Sequence, residues 1–178
     1  IAQHDFVNND DNVADEICQD DPDQDDHGSV VVGILAGNAP GNLMGLAYRA
    51  KYLLAKTEKV SENGREFERQ IEEDWWVEGL EWLEAMGADV VSSSLGYSAW
   101  YRFKDLDGKT SKVTIAANLA IEKGLPVIVA AGNLGGQPLG DLGLQGRIDV
   151  PADGFDVLAI GAVDSNGRVA RFSALGPT

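Results

Sequence analysis

Short apolar segments bounded by turn residues are the feature that most restricts the fold of this chain. Residues 52–55, 126–131 and 157–163 are almost wholly apolar. Residues 89–94 form a short run that contains two β-branched valines and ends in three serines. These runs do not alternate between apolar and polar residues, as a strand with one solvent-exposed face would. Short apolar runs of this kind are typical of strands buried on both faces. The sequence therefore predicts several buried strands in a mostly parallel sheet.

Helical patterns lie between these apolar segments. Apolar residues recur at three- and four-residue spacing over residues 65–86, and residues 113–123 form a second helical pattern that Gly124 ends. Residues 28–37 are apolar enough for a buried helix or a strand, and periodicity alone does not decide between them. The alternation predicts an α/β fold with three layers, in which helices cover both faces of a mostly parallel sheet.

The charge of the chain excludes two classes of partner. The 178 residues carry 14 basic and 29 acidic side chains, for a formal net charge of −15. Nucleic acids and anionic membranes attract clustered Lys and Arg, so neither is expected as a partner. No apolar run approaches the roughly 20 residues of a membrane span. Cys18 is the only cysteine, which excludes an intrachain disulfide.

Three motifs place polar side chains where catalytic groups of α/β proteins usually lie, next to strand or helix ends. They are the Asp-His-Gly-Ser sequence at 26–29, the Ser-Ser-Ser-Leu-Gly sequence at 92–96, and the Ala-Ala-Gly-Asn sequence at 130–133. Each by itself also fits a plain structural role, as a surface histidine, a strand end or a strand-to-loop turn. A serine nucleophile in the middle motif is disfavoured because the G-x-S-x-G pattern is absent.

Taken together and in this order, the motifs resemble the subtilisin-like serine proteases, or subtilases. Residues 26–33 are similar to that family's histidine block, and residues 88–96 to its substrate-binding strand. Residues 127–135 are similar to its oxyanion block, and residues 171–177 to the segment just before its serine block. The resemblance extends over almost the whole chain.

The resemblance implies roles for two residues in catalysis. His27 would be the general base that takes a proton from a serine nucleophile and returns it to the leaving amine. Asn133 would donate a hydrogen bond to the oxyanion of the tetrahedral intermediate. No cofactor is required for this chemistry.

The resemblance also implies a substrate-binding surface for a protein or peptide. Ser94, Leu95 and Gly96 would pair with the backbone of the substrate. Ala131 and Gly132 would line the pocket for the residue before the scissile bond, and their small size predicts an open pocket that tolerates apolar side chains. A secreted or cell-envelope location is expected from the family.

Two motifs of the family do not occur in the chain. The strand motif of the catalytic Asp and the G-T-S-M-A motif of the nucleophilic Ser are both missing from residues 1–178. The expectation is a single partial catalytic domain over 1–178, incomplete at both ends and inactive alone, with sheet edges that favour self-association. The alternative is a non-catalytic, peptide-binding relic of the same fold.

An acidic loop at residues 8–26 raises the question of a metal ion. The spacing of Asp21, Asp23 and Asp25 starts like an EF-hand loop, but position six is not Gly and position twelve is Val32. A solvated acidic surface is therefore favoured, and no metal ligands are assigned. A structural calcium ion of the kind that many subtilases bind stays open.

Overall fold

The computed structural model describes residues 2–135 and 146–176. The chain divides into two compact units, Ile1–Trp75 and Trp76–Thr178, each of which is described by itself.

The first unit is built around a pair of parallel strands. In chain order its elements are β1 (Ala2–Asp5), α1 (Asp26–Ala36), β2 (Asn38–Ala39), β3 (Leu43–Met44), β4 (Leu53–Lys56), β5 (Ser61–Glu62), β6 (Arg65–Glu66) and the start of α2 (Ile71–Ala85). Strands β1 and β4 pair in parallel, with Ala2 opposite Leu53. The predicted strand at 52–55 is confirmed with its bounds shifted by one residue.

Most of the segment 28–37, for which the sequence left helix and strand open, belongs to helix α1, which ends at Ala36. The prediction that this segment is buried is wrong, because none of its residues is buried and Val30 and Ile34 are 63% and 61% exposed.

Two further two-stranded antiparallel sheets, β2–β3 and β5–β6, are short.

Helix α2 begins six residues later than the sequence pattern predicts. Residues 61–66 form the hairpin β5–β6 instead, and its turn residues Asn63 and Gly64 have φ values of 55° and 69°. An Asn-Gly pair adopts this left-handed backbone at low cost and so favours a tight hairpin turn, which places Arg65 and Glu66 in the returning strand rather than in a helix. The helix then ends at Ala85, one residue before the end of the predicted pattern at residue 86.

The second unit contains a three-stranded parallel sheet. Its remaining elements are β7 (Val91–Ser93), a 3₁₀ helix (Phe103–Asp105), α3 (Lys112–Glu122), β8 (Val127–Ala130) and β9 (Leu158–Ile160). The sheet order is β7-β8-β9. Val127 and Val129 on the central strand are each 1% exposed, and with Val113 and Ala117 of α3 they form the centre of the apolar core. Parallel strands with packed helices confirm the predicted α/β class.

Strand β9 differs from the expectation of a buried strand. Its Leu158 and Ile160 are 56% and 55% exposed. The physical reason is its place in the sheet: β9 pairs with β8 on one side, and no other strand of the described residues pairs with it on the other.

Candidate active site

His27 lies in the first turn of helix α1, where the helix fixes the position of its backbone. The imidazole is about half exposed, and its Nδ1 atom lies 3.2 Å from Oε2 of Glu58. A carboxylate on Nδ1 favours the tautomer with a proton on Nδ1, which leaves Nε2 as the acceptor. That is the form a general base requires.

Glu58 was not identified from the sequence as a site residue. It follows strand β4 by two residues, at the carboxyl end of a parallel strand, which is where α/β proteins place functional side chains. The position was therefore a usable signal, but the sequence alone does not show that helix α1 brings His27 against this strand end.

Gln24 connects the segment before His27 to the segment after Glu58. Its side chain is buried, donates to Oγ of Ser61 at 3.2 Å, and accepts a hydrogen bond from the Val60 backbone at 2.8 Å. Backbone N–H groups of Gln24 and Asp25 in turn donate to the carboxylate of Asp15. These bonds hold the start of α1 beside the loop that carries Glu58.

A buried ion cluster lies at the ends of β1 and β4. The ammonium group of Lys56 contacts Asp5 and Asp20 at 2.9 Å each, and all three side chains are buried. Burial by itself lowers the pKa of Lys56, but the hydrogen bonds and charges of the two carboxylates outweigh it and raise that pKa above its usual value. Burial likewise acts to raise the pKa of Asp20, and its bonds to Lys56 and Asn8 lower it overall.

The acidic loop is tied to the protein rather than simply solvated. Asp20 of this loop binds Lys56, while Asp21 accepts hydrogen bonds from Oγ of Ser61 and the backbone of Gly64, each at 2.9 Å. These carboxylates already have protein donors. Within residues 2–135 and 146–176, no group of three or more His, Cys, Asp or Glu side chains is arranged to hold a metal ion.

In the second unit, Asn133 follows the carboxyl end of strand β8 by three residues and is exposed. Before it, Ala131 is buried, and its backbone N–H donates to the carbonyl of Ile160 at 2.9 Å. Gly132 has φ of +112°, a conformation that favours glycine. The small residues at 131 and 132 therefore allow the chain to turn sharply just before Asn133.

Ser94, Leu95 and Gly96 continue from the end of strand β7. Strand pairing stops at Ser93, and the next three residues have no regular secondary structure, with Ser94 and Gly96 exposed. Leu95 is partly buried and packs against the core, which anchors the segment. An anchored segment next to a strand end is suited to pairing with an extended peptide.

Asp149 is a second residue that the sequence did not single out. Its backbone N–H donates to the carbonyl of Ala131 at 3.1 Å, and its side chain lies against Gly96 and Gly132. Burial raises the pKa of Asp149 to about 6, while a hydrogen bond from the Ser98 side chain acts in the opposite direction. The two predicted substrate-binding segments thus meet at this carboxyl group.

The predicted site residues fall in both units. His27 belongs to the first, where the structure brings it together with Glu58; the other six belong to the second.

Helices of the described part of the chain include none that is long and apolar enough to cross a membrane.

Comparison with known proteins identifies the family and the fold. The sequence model of the subtilase family matches residues 2–178. The solved MycP3 protease of a type VII (ESX-3) secretion system aligns with 97% of this chain and 50% of its own chain, with a TM-score of 0.66 and 23% identity, which supports the fold alone. The chain belongs to the subtilase family of serine proteases.

Two curated relatives agree with this assignment. The thermophilic serine proteinase of Bacillus sp. (strain AK1) is 31% identical over 99% of this chain, and Subtilisin DY of Bacillus licheniformis is 38% identical over 56% of it. The match covers 36% of the first relative and 31% of the second, so the chain spans about a third of the length of these proteins.

Proposed function

We propose that this chain is the central part of a serine endopeptidase domain that hydrolyses peptide bonds in proteins by a Ser-His-Asp mechanism. The observation that carries the proposal is the position of His27. It lies in residues 26–33, which resemble the histidine block of subtilases, and a carboxylate on its Nδ1 leaves Nε2 as the proton acceptor.

His27 would act as the general base. In a serine protease the imidazole accepts the hydroxyl proton of Ser as that oxygen attacks the carbonyl carbon, and then protonates the leaving amine. A carboxylate at Nδ1 stabilises the imidazolium that forms in between. Glu58 supplies such a group within this chain, at 3.2 Å.

Asn133 would stabilise the oxyanion. A side-chain amide just past a strand end is held firmly enough to donate to the negative charge that develops on the carbonyl oxygen. Removal of one such donor typically lowers turnover by about 10²–10³. The exposed position of Asn133 beyond β8 is compatible with access to a substrate.

The substrate would be an extended segment of a protein or peptide. Ser94, Leu95 and Gly96 would pair with its backbone, and Ala131 and Gly132 would line the pocket for the residue before the scissile bond. The location we propose is outside the cytoplasm, secreted or in the cell envelope, in keeping with the family.

The 178-residue chain by itself would be inactive, because neither the aspartate motif nor the serine motif of the family occurs in it. We expect no labelling of the isolated chain by a fluorophosphonate probe, with a commercial subtilisin labelled under the same conditions as the control. Labelling of this chain would contradict the proposed absence of a nucleophile.

The non-catalytic relic remains the second candidate. The polypeptide that precedes residue 1 and follows residue 178 distinguishes the two. An aspartate strand motif before and a G-T-S-M motif after would support the protease, and a longer polypeptide that lacks both would support a peptide-binding relic.

A further inference from the structure

The side chain of Asp149 lies between glycines of the two predicted substrate-binding segments. A Cβ added to Gly132 would lie 2.9 Å from Cγ of Asp149 and closer still to Oδ2, and a Cβ added to Gly96 would lie 2.8 Å from Cβ of Asp149. Real Cβ atoms do not approach so closely. Glycine at both positions is therefore what makes room for this carboxyl group.

The backbone holds Asp149 in this position from both sides. Its N–H donates to the carbonyl of Ala131, on the segment after β8. The next residue, Val150, exchanges two backbone hydrogen bonds with Tyr97, the residue after Gly96, at 2.9 and 3.3 Å. The carboxyl group is thus part of a rigid wall rather than a mobile surface side chain.

No basic side chain of the described residues forms an ion pair with Asp149. The nearest basic residue in the sequence, Arg147, has its guanidinium 3.7 Å above the centre of the Phe103 ring. The carboxyl group instead accepts a hydrogen bond from Ser98. A partly buried carboxylate with only a hydroxyl donor is stabilised strongly by a cation that enters its pocket.

We propose that Asp149 is a specificity-determining residue that selects a Lys or Arg side chain in the pocket lined by Ala131 and Gly132. This inference rests on the proposed function, because it takes those residues as the pocket for the residue before the scissile bond. The small residues alone predict a pocket that tolerates apolar side chains. Asp149 instead gives the wall of this pocket a negative charge.

Peptide binding to the 178-residue chain tests the inference without the need for catalysis. The probes are four dye-labelled peptides of identical sequence that end in Arg, citrulline, Lys or norleucine, with binding measured by fluorescence anisotropy. Citrulline keeps the length of Arg without its charge, and norleucine keeps the four-carbon stem of Lys without the ammonium group. The variants are Asp149→Asn and, as a control for the loss of one acidic charge, Asp156→Asn, whose side chain is exposed.

We expect the Arg peptide to bind at least about tenfold more tightly than the citrulline peptide. The Lys peptide should bind more tightly than the norleucine peptide by a similar factor. Asp149→Asn should abolish both preferences, and Asp156→Asn should keep them. Equal binding of charged and neutral peptides to the unsubstituted chain would overturn the inference and leave peptide binding intact.

Absence of binding by all four peptides would instead overturn the proposed substrate surface, and this inference with it. Preferences that persist in Asp149→Asn would assign the selectivity to another residue and also overturn the inference. Should Asp149→Asn fail to fold, Asp149→Ser serves in the same comparison, and equal binding of the Arg and citrulline peptides to the unsubstituted chain would still overturn the inference.

Discussion

Nδ1 of His27 lies 3.2 Å from Oε2 of Glu58, although 31 positions separate the two residues in the sequence. We expect Glu58→Gln to lower the fraction of His27 in the Nδ1-protonated tautomer, because a neutral amide no longer favours a donor at that nitrogen. The tautomer ratio is measured from the imidazole ¹⁵N chemical shifts. Glu62→Gln, which removes a carboxylate that pairs with Lys59 and Arg69, is the control. An unchanged tautomer ratio in Glu58→Gln would show that this carboxylate does not orient the base.

The buried cluster of Lys56, Asp5 and Asp20 should dominate the electrostatic stability of the first unit. Lys56→Met leaves two buried carboxylates without their cation, and breaking a buried pair in this way typically costs about 3–5 kcal/mol. Urea unfolding measures the loss. Lys123→Met, which breaks an exposed pair with Glu84 at 3.7 Å, should cost less than about 1 kcal/mol. Similar losses in the two variants would refute the importance of the cluster.

Glu72 should make stability depend on pH. Its side chain is buried, and burial raises its pKa to about 7, even though the backbone N–H groups of Lys59 and Arg69 donate to it. A raised carboxyl pKa means that the folded state binds the proton more tightly, so this contribution to stability is full below about pH 4.5 and is lost as the pH rises through 7.

Urea unfolding of the unsubstituted chain and of Glu72→Gln at several pH values measures this effect. From pH 4.5 to 7.5, the free energy of unfolding of the unsubstituted chain should fall by up to about 3 kcal/mol relative to that of Glu72→Gln. A difference that stays constant with pH would mean that Glu72 titrates normally in the folded state.

Gly132 should be far less replaceable than another glycine with a similar backbone conformation. Gly132 and Gly124 have φ values of +112° and +93°, but an added Cβ meets Asp149 only at Gly132 and nothing within 4 Å at Gly124. Ala at either position brings backbone strain of about 1–2 kcal/mol, and Gly132→Ala should add about 1–3 kcal/mol for the clash. Equal losses of unfolding free energy in the two variants would mean that the side chain of Asp149 does not lie against Gly132.

The exposed apolar residues of the second unit predict self-association. Leu158 and Ile160 on β9 are more than half exposed, as are Val163, Phe172 and Leu175 further along the chain. Outer strands and apolar surfaces of this kind tend to associate. Gel filtration with light scattering should detect oligomers whose fraction rises with concentration, and Ile160→Lys should reduce it. A monomer at all concentrations would contradict the prediction.

Local pattern was sufficient for strands β4, β7, β8 and β9, for helix α3 and for the family. Short apolar runs identified these strands, although the apolar run at 28–37 belongs mostly to helix α1, and the ordered motifs carry the resemblance to subtilases. The main local error was the start of α2, because Arg65 and Glu66, where the helical pattern begins, form the returning strand of a hairpin with an Asn-Gly turn.

The partners of the site residues required the tertiary structure. Glu58 beside His27, and Asp149 between Gly96 and Gly132, are contacts between segments far apart in the chain. Sequence alone established which chemical groups this protein has and which secondary-structure elements carry them. The tertiary structure decided which groups meet, because the approach of side chains across a fold depends on how the elements pack, and hence on contacts that no local pattern records.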